Sequence, residues 1–85
     1  MRIGFALETA DRLEDSARLK LAEKHLDAIV ANDLETMDSE TINATLLLRD
    51  GRTLTPGKAL PKIDFADWLL DQLDTIREEG LRFEV

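Results

Sequence analysis

The sequence predicts an α/β fold: a partial Rossmann-like βαβ unit, followed by a β-hairpin and a C-terminal helix. Short apolar runs that are typical of strands alternate with segments in which apolar residues recur every three to four positions, as in amphipathic helices. An Asp-Gly pair between two apolar runs indicates a hairpin turn. The chain has 85 residues, of which 44% are hydrophobic, so we expect one small domain over residues 1–85.

The first predicted strand and helix occupy residues 2–25. Residues 2–7 form a short apolar run followed by polar Glu8, which indicates a strand ending in a turn. From Asp11 to His25 the pattern is helical, with apolar residues at i, i+4 and i+8. That stripe consists of Leu13, Ala17 and Leu21. Asp11 is the predicted N-cap, and Glu14 completes a box-like arrangement.

The second predicted strand, Leu26 to Ala31, is a continuous apolar run of the kind found in covered parallel sheets. A strand, a helix and a parallel strand connect by a right-handed crossover. Asn32 and Asp33 then lie at the carboxyl end of a strand, where open α/β sheets bind ligands. Asp33 is a candidate magnesium ligand, but an Asn-Asp pair after a strand more often forms a turn or a helix cap.

The second half of the chain begins with a polar loop without periodicity, residues 34–42. Residues 45–48 and 53–54 are predicted to form a hairpin around Asp50-Gly51. A second loop containing Pro56-Gly57 and Pro61 follows.

The last predicted helix runs from Asp64 to Glu79, with Gly80 as its C-terminal stop. Its apolar face consists of Phe65, Ala66, Leu69, Leu73 and Ile76. Residues 81–85 alternate and are predicted to form a tail or an edge strand.

The composition and the net charge limit the kinds of ligand and partner that the chain is expected to bind. The formal net charge of −7 disfavours binding to nucleic acid and to anionic membranes, but it allows a local cationic pocket for a small phosphorylated ligand. The absence of cysteine excludes disulfides and thiolate metal sites. No apolar run is long enough to span a membrane, and the start of the chain does not resemble a signal peptide, so we expect a cytoplasmic protein. A thin core predicts that a partner surface completes the fold.

Two lysines on the first helix are unusually placed. Lys20 and Lys24 lie within about 60° of the apolar stripe, whereas lysines normally occupy the solvated face. Either their apolar stems lie along the stripe while the ammonium groups reach water, or they form a cation pair that binds an anionic ligand over the end of the sheet. Phe5 is either a core residue or a platform for a base.

Other chemically capable residues have simpler interpretations. His25, the single histidine, lies at the helix end, where it interacts favourably with the helix dipole. Trp68 lies off the stripe of the last helix and is expected to cover a neighbouring element or an interface. No arrangement of His, Cys or Ser residues indicates nucleophilic catalysis, and no glycine-rich phosphate loop is present.

Several segments together carry a family resemblance. Residues 4–9 are G-F-A-L-E-T, residues 17–20 are A-R-L-K with Lys24 one turn later, and residues 26–33 are L-D-A-I-V-A-N-D. In this order and spacing they resemble the C-terminal part of phosphopantothenate–cysteine ligases, the ligase half of bifunctional coenzyme A enzymes in the DNA/pantothenate metabolism flavoprotein family. The similarity continues through Asn43, the hairpin and Lys62 to the last helix.

The resemblance implies a fold, a reaction and partners. The family joins phosphopantothenate to cysteine through an acyl-nucleotide intermediate, with CTP or ATP as the nucleotide and magnesium assisting. It implies that Phe5, Lys20 and Lys24 bind the nucleotide. Flavin belongs to the decarboxylase half of these enzymes, so none is expected in this segment. The family is dimeric, so the expected protein partner is a second copy or an upstream ligase fragment.

The chain also departs from the family pattern. The family's glycine-containing first turn, catalytic asparagine and lysine-rich segment have no counterpart in it, and the loop at residues 35–42 is short and lacks a Gly-Phe pair. We therefore assign no catalytic residue and expect the chain alone to be inactive. Two hypotheses remain: a portion of the ligase, or a non-catalytic dimerisation or structural module derived from that fold.

Overall fold

The computed structural model describes residues 2–34 and 40–83. These residues form strands of two to six residues and two helices. The main strands and helices follow one another in the predicted order. The elements are β1 (Ile3–Glu8), α1 (Ala10–Glu23), β2 (Ala28–Asp33), β3 (Thr41–Ile42), β4 (Ala44–Leu48), β5 (Thr53–Leu54), β6 (Leu60–Pro61) and α2 (Lys62–Phe83).

The main sheet has four strands in the order β1-β2-β4-β5. β1 and β2 are parallel, from Ile3 opposite Ala28 to Glu8 opposite Asp33. β4 and β5 extend the sheet as antiparallel strands, whereas β3 and β6 form a separate two-stranded sheet. The predicted βαβ unit and hairpin are therefore confirmed, with β1 at the edge of the main sheet.

Each face of the sheet is covered by one helix. In β2, Ile29 and Ala31 pack in the cluster that contains α1, whereas Ala28 and Val30 pack in the cluster that contains α2. This alternation follows from the pleat of a strand, and it explains why β2 is apolar at consecutive positions. The result is a three-layer α/β/α arrangement around one sheet.

Several predicted element boundaries are wrong. Helix α1 begins at Ala10 with Thr9 as its N-cap, so Asp11 is not the cap. The Thr9 hydroxyl donates instead to Asp11 Oδ1, at 2.6 Å, and the acidic side chain lies in the first turn, where the helix dipole favours it. The second strand begins at Ala28 and includes Asn32 and Asp33 as its last two residues.

The C-terminal helix is longer than predicted. It begins at Lys62 and ends at Phe83, so it continues through Gly80, and residues 81–83 are not an edge strand. Glycine permits the left-handed conformation that ends many helices but does not require it. Ala66 is exposed, although the pattern placed it on the buried face.

The loops between the strands are partly ordered into a second small sheet. Residues 41–42 and 60–61, both predicted as loop, pair as β3 and β6. The interpretation of residues 35–39 as a shortened loop, and that of residues 84–85, lie outside the described residues. Within residues 2–34 and 40–83, neither helix is long and apolar enough to span a lipid bilayer.

Candidate functional site

The two predicted cationic residues lie at the end of α1. Lys20 is half-buried in the last turn, and Lys24, the C-cap residue, is exposed. Ala17 and Leu21 beside them are buried against the sheet. In the described part of the chain, neither ammonium group is engaged in an ion pair. The two side chains are one helical turn apart, about 6 Å.

Phe5 lies in the middle of β1 and is 70% exposed. It is not a core residue. Ile3, two residues earlier, packs in the α2 cluster, and Ala6 packs in the α1 cluster. Because side chains alternate along a strand, Phe5 faces the same side as Ile3, the side that α2 covers.

The sheet therefore separates the aromatic ring from the lysines. Phe5 is on the α2 side, whereas Lys20 and Lys24 belong to the helix on the opposite side. β1 is the edge strand of the sheet, so the two groups are joined around its outer edge rather than through the sheet. A single ligand that touches all three residues has to cross that edge.

The lysines and Asp33 lie at opposite ends of the sheet. α1 leaves the sheet after Glu8 and returns near Arg2, since the Asp27 amide donates to the Arg2 carbonyl at 2.8 Å. Its last turn is thus at the Arg2 end of β1. Asp33 pairs with Glu8 at the other end, so it does not belong to the same site as the lysines.

The described residues form no cluster of side chains that could hold a metal ion without help from a ligand. No group of three or more His, Cys, Asp or Glu side chains within residues 2–34 and 40–83 is arranged to hold one. Asp33, the candidate from the sequence, is half-buried and already interacts within the structure. Magnesium is commonly held by one or two carboxylates together with substrate phosphates, so Asp33 stays a candidate ligand from the sequence, and we derive no step through the metal.

The end of α1 has an unusual backbone. His25 follows the C-cap with φ = 53°, in the left-handed region that favours glycine. The Leu26 amide donates to the Leu21 carbonyl at 3.0 Å, and the His25 amide donates to the Ala22 carbonyl at 3.3 Å. These bonds close the helix as in a Schellman motif. His25 thus has a structural role at the helix end that its type alone did not predict.

Trp68 packs on the core. Its ring centroid lies 5.6 Å from that of Phe65, with an angle of 35° between the planes. Phe65 is 5% exposed and belongs to the α2 cluster, and the half-buried Trp68 packs against that cluster. The tryptophan therefore covers a neighbouring element, one of the two roles that its position predicted.

Comparison with known proteins places this arrangement in a family. The sequence profile of the DNA/pantothenate metabolism flavoprotein C-terminal domain matches residues 1–76. The chain belongs to this family. A curated member, the coenzyme A biosynthesis bifunctional protein CoaBC of Bacillus subtilis (strain 168), is 34% identical over an alignment of 84 positions, and the match covers 91% of this chain and 20% of that protein.

Two solved structures of proteins from this family share the fold of the chain. The C-terminal domain of a CoaBC protein superposes with a TM-score of 0.73 at 34% identity, and the match covers 91% of this chain and 35% of the other. The DNA/pantothenate metabolism flavoprotein of Streptococcus pneumoniae has a TM-score of 0.64 at 28% identity, and the match covers 86% and 31%. The chain thus spans about a fifth of the curated relative and about a third of each solved chain.

Two arginines that sequence reasoning did not select flank a cavity on the α1 side of the sheet. Arg18 donates to Thr53, which is 35 residues away in β5, at 3.3 Å. Arg49 forms an ion pair with Asp27 at 3.4 Å. The i, i+4 spacing of Glu14 and Arg18 was a visible signal for one ion pair, but the contact with β5 depends on the packing of the hairpin.

Proposed function

We propose that this chain is the nucleotide-facing C-terminal portion of a phosphopantothenate–cysteine ligase of coenzyme A biosynthesis, and that it is incomplete for catalysis alone. The observation that carries the proposal is the 34% identity over 84 residues with a CoaBC protein of which the chain spans 20%. The match covers almost all of this chain but a small part of the relative. A cytoplasmic location and a homodimer or an upstream ligase fragment as partner belong to the same proposal.

In the proposed reaction, the carboxylate of phosphopantothenate attacks the α-phosphorus of CTP or ATP, and pyrophosphate leaves. The amine of cysteine then attacks the acyl carbon of the mixed anhydride, and the nucleoside monophosphate leaves. Lys20 and Lys24 hold the negative charge of the phosphates while pyrophosphate departs, as preorganised cations do in phosphoryl transfer. Phe5 packs against the base across the outer edge of β1. The residues that bind the acid and cysteine come from the remainder of the ligase.

We predict that the purified chain does not release pyrophosphate from CTP or ATP in the presence of phosphopantothenate. Activity is expected when the chain replaces the matching C-terminal segment of B. subtilis CoaBC, because the chimera supplies the rest of the domain. The measurement is pyrophosphate release with each nucleotide, for the chain and the chimera. Turnover by the pure chain contradicts the proposed incompleteness, and a folded but inactive chimera contradicts the ligase assignment.

The lysine pair is tested in the same chimera. We predict that Lys20→Ala/Lys24→Ala lowers the rate of pyrophosphate release at least about 100-fold, the usual effect of removing a preorganised charge donor. Lys58→Ala is the matched control, since Lys58 is an exposed lysine between β5 and β6. An NMR titration of the chain alone with CTP and ATP is expected to show binding no tighter than about 1 mM, or about 4 kcal/mol. Equal rates in the double variant and the control would show that the two lysines do not act on the nucleotide and are solvated surface residues.

A second function, a non-catalytic dimerisation module, is favoured by one observation. Phe5 and Leu7 are 70% and 40% exposed on the edge strand β1, and exposed apolar side chains on an open edge favour association. The chimera distinguishes the two functions, because a module without a catalytic role leaves the chimera without turnover while its dimers persist.

A further inference from the structure

A cavity of about 290 Å³ lies between the second half of α1 and the end of β4. It is on the α1 side of the sheet. Its walls are formed by Arg18, Leu21, Ala22, His25, Leu48 and Arg49. This volume lies just below the range of about 300–1,000 Å³ that is typical of pockets for drug-sized ligands, which favours a ligand smaller than a nucleotide.

The lining combines an apolar base with several N–H donors. Leu21 and Leu48 are 7% and 3% exposed, so the base of the cavity belongs to the core. The polar groups of the lining are the guanidinium groups of Arg18 and Arg49 and the imidazole of His25. None of the described lining residues carries a carboxylate. Such a set matches an oxyanion, because guanidinium groups bind phosphate and carboxylate oxygens in pairs.

Each of the two guanidinium groups already has a carboxylate partner within the chain. Nε of Arg18 pairs with Glu14 Oε1 at 3.2 Å, and its Nη2 donates to Thr53 Oγ1 at 3.3 Å. Nη1 of Arg49 pairs with Asp27 Oδ1 at 3.4 Å. The hydrogen bonds of Arg18 use two of its five N–H donors, whereas Arg49 is held by an ion pair. The remaining N–H donors are left for a ligand, and the restraint lowers the entropy cost of binding it.

The third polar wall residue has a strained backbone. His25 adopts φ = 53°, a conformation that costs a residue with a Cβ more than it costs glycine. The same conformation closes the end of α1 and leaves His25 at the wall of the cavity. The conformation directs the residue out of the helix at the point where α1 ends against the cavity.

We propose that this cavity is a binding site for a small phosphate-class dianion, held by Arg18 and Arg49 with His25 as a third donor. It is separate from the lysine pair of the proposed function, because Arg18 and Lys20 lie about 160° apart around α1. The carboxylates of Glu14 and Asp27 hold the outer sides of the guanidinium groups. The net charge of −7 acts at long range and is screened by salt.

The test is an NMR titration of the whole chain with inorganic phosphate and, separately, with methyl phosphate. We expect saturable shifts at the amides of residues 21–25 and 48–49. The Arg18→Gln/Arg49→Gln variant is expected to bind about tenfold or more weakly. Arg12→Gln/Arg77→Gln is the matched control, since it removes the same charge from exposed positions on the two helices. Tighter binding of methyl phosphate would identify an ester as the physiological class, and equal or weaker binding would identify free phosphate.

A second variant separates binding from folding. His25→Gly relieves the positive φ, so we expect its melting temperature to rise, while its affinity for phosphate falls about threefold through the loss of one donor. Three results would overturn the proposal: equal weakening in the Arg12/Arg77 control, shifts confined to Lys20 and Lys24, or unchanged affinity in a folded Arg18/Arg49 variant.

Discussion

Asp50 shows how one side chain organises the turn of the hairpin. Its Oδ1 accepts the Arg52 amide at 3.0 Å, and its Oδ2 accepts Nε of Arg52 at 2.8 Å. Gly51 between them has φ = 96°, which a residue with a Cβ adopts only with strain. Partial burial alone would raise the pKa of Asp50, but the hydrogen bonds from Arg52 and its positive charge outweigh it, and the pKa lies below its usual value.

We predict that Asp50→Asn destabilises the chain at neutral pH but not in acid. A carboxylate with a lowered folded-state pKa stabilises the fold above the unfolded value of about 3.9, and this contribution is lost as the pH falls through the folded-state pKa. The loss at pH 7 should be at most about 1 kcal/mol, because the ion pair is partly exposed. Urea unfolding at pH 7 and at about pH 3 measures it, with Asp67→Asn as a control for lost charge. A deficit that persists in acid would show that the ionised carboxylate is not the cause.

The connection between α1 and β2 packs closely on Gly4 of β1. A Cβ placed on Gly4 would lie 2.5 Å from Cδ1 of Leu26 and 3.7 Å from Cγ1 of Ile29. Both leucine and isoleucine are buried. Gly4 therefore allows the connection after α1 to pack directly on β1, and it keeps this edge strand close to the core.

We predict that substitutions at Gly4 destabilise the fold more as the new side chain becomes larger. Gly4→Ala should change the free energy of unfolding by less than about 1 kcal/mol, because the clashing atom is the end of a flexible leucine side chain. Gly4→Val should cost about 1–3 kcal/mol through overpacking. Chemical denaturation of both variants checks this order, and Gly4→Val with Leu26→Ala should recover part of the loss. A fully stable Gly4→Val variant would mean that β1 and Leu26 are not in tight contact.

At the scale of the whole molecule, the sheet is covered on its faces but open along β1. No strand among the described residues pairs with the outer side of β1. Apolar side chains are exposed both on this strand and on α2, where Ile63 and Leu70 are 76% and 59% exposed. A small domain with little core gains stability when such surfaces are covered.

We predict that the chain self-associates through the β1 edge. Sedimentation velocity over a range of concentrations should show a mass above that of the 9.6 kDa monomer. Leu7→Lys should shift the equilibrium toward monomer, because lysine on an edge strand opposes pairing. Leu19→Lys is the control, since Leu19 is exposed on α1 away from this edge. A monomer at every concentration, or equal effects of both substitutions, would rule out association through β1.

The order and type of the main elements follow from the sequence alone. The stripe of Ala17 and Leu21 is buried as its spacing predicted, and Asp50-Gly51 forms the predicted turn. These features are local, because periodicity and turn chemistry act within a few residues. The ends of the helices could not be predicted as well from the sequence. A cap such as Thr9 and a continuation through Gly80 depend on small free-energy differences between similar local conformations.

The relation between the candidate site residues was decided by the tertiary structure. The sequence placed Phe5, Lys20 and Lys24 near one edge, but the sheet puts the ring and the ammonium groups on opposite faces. It also joins Arg18 to Thr53 across 35 residues. Periodicity shows which side of each element is apolar. It carries no information on which flank of a helix meets which strand, because that is set by long-range packing of the complete sheet.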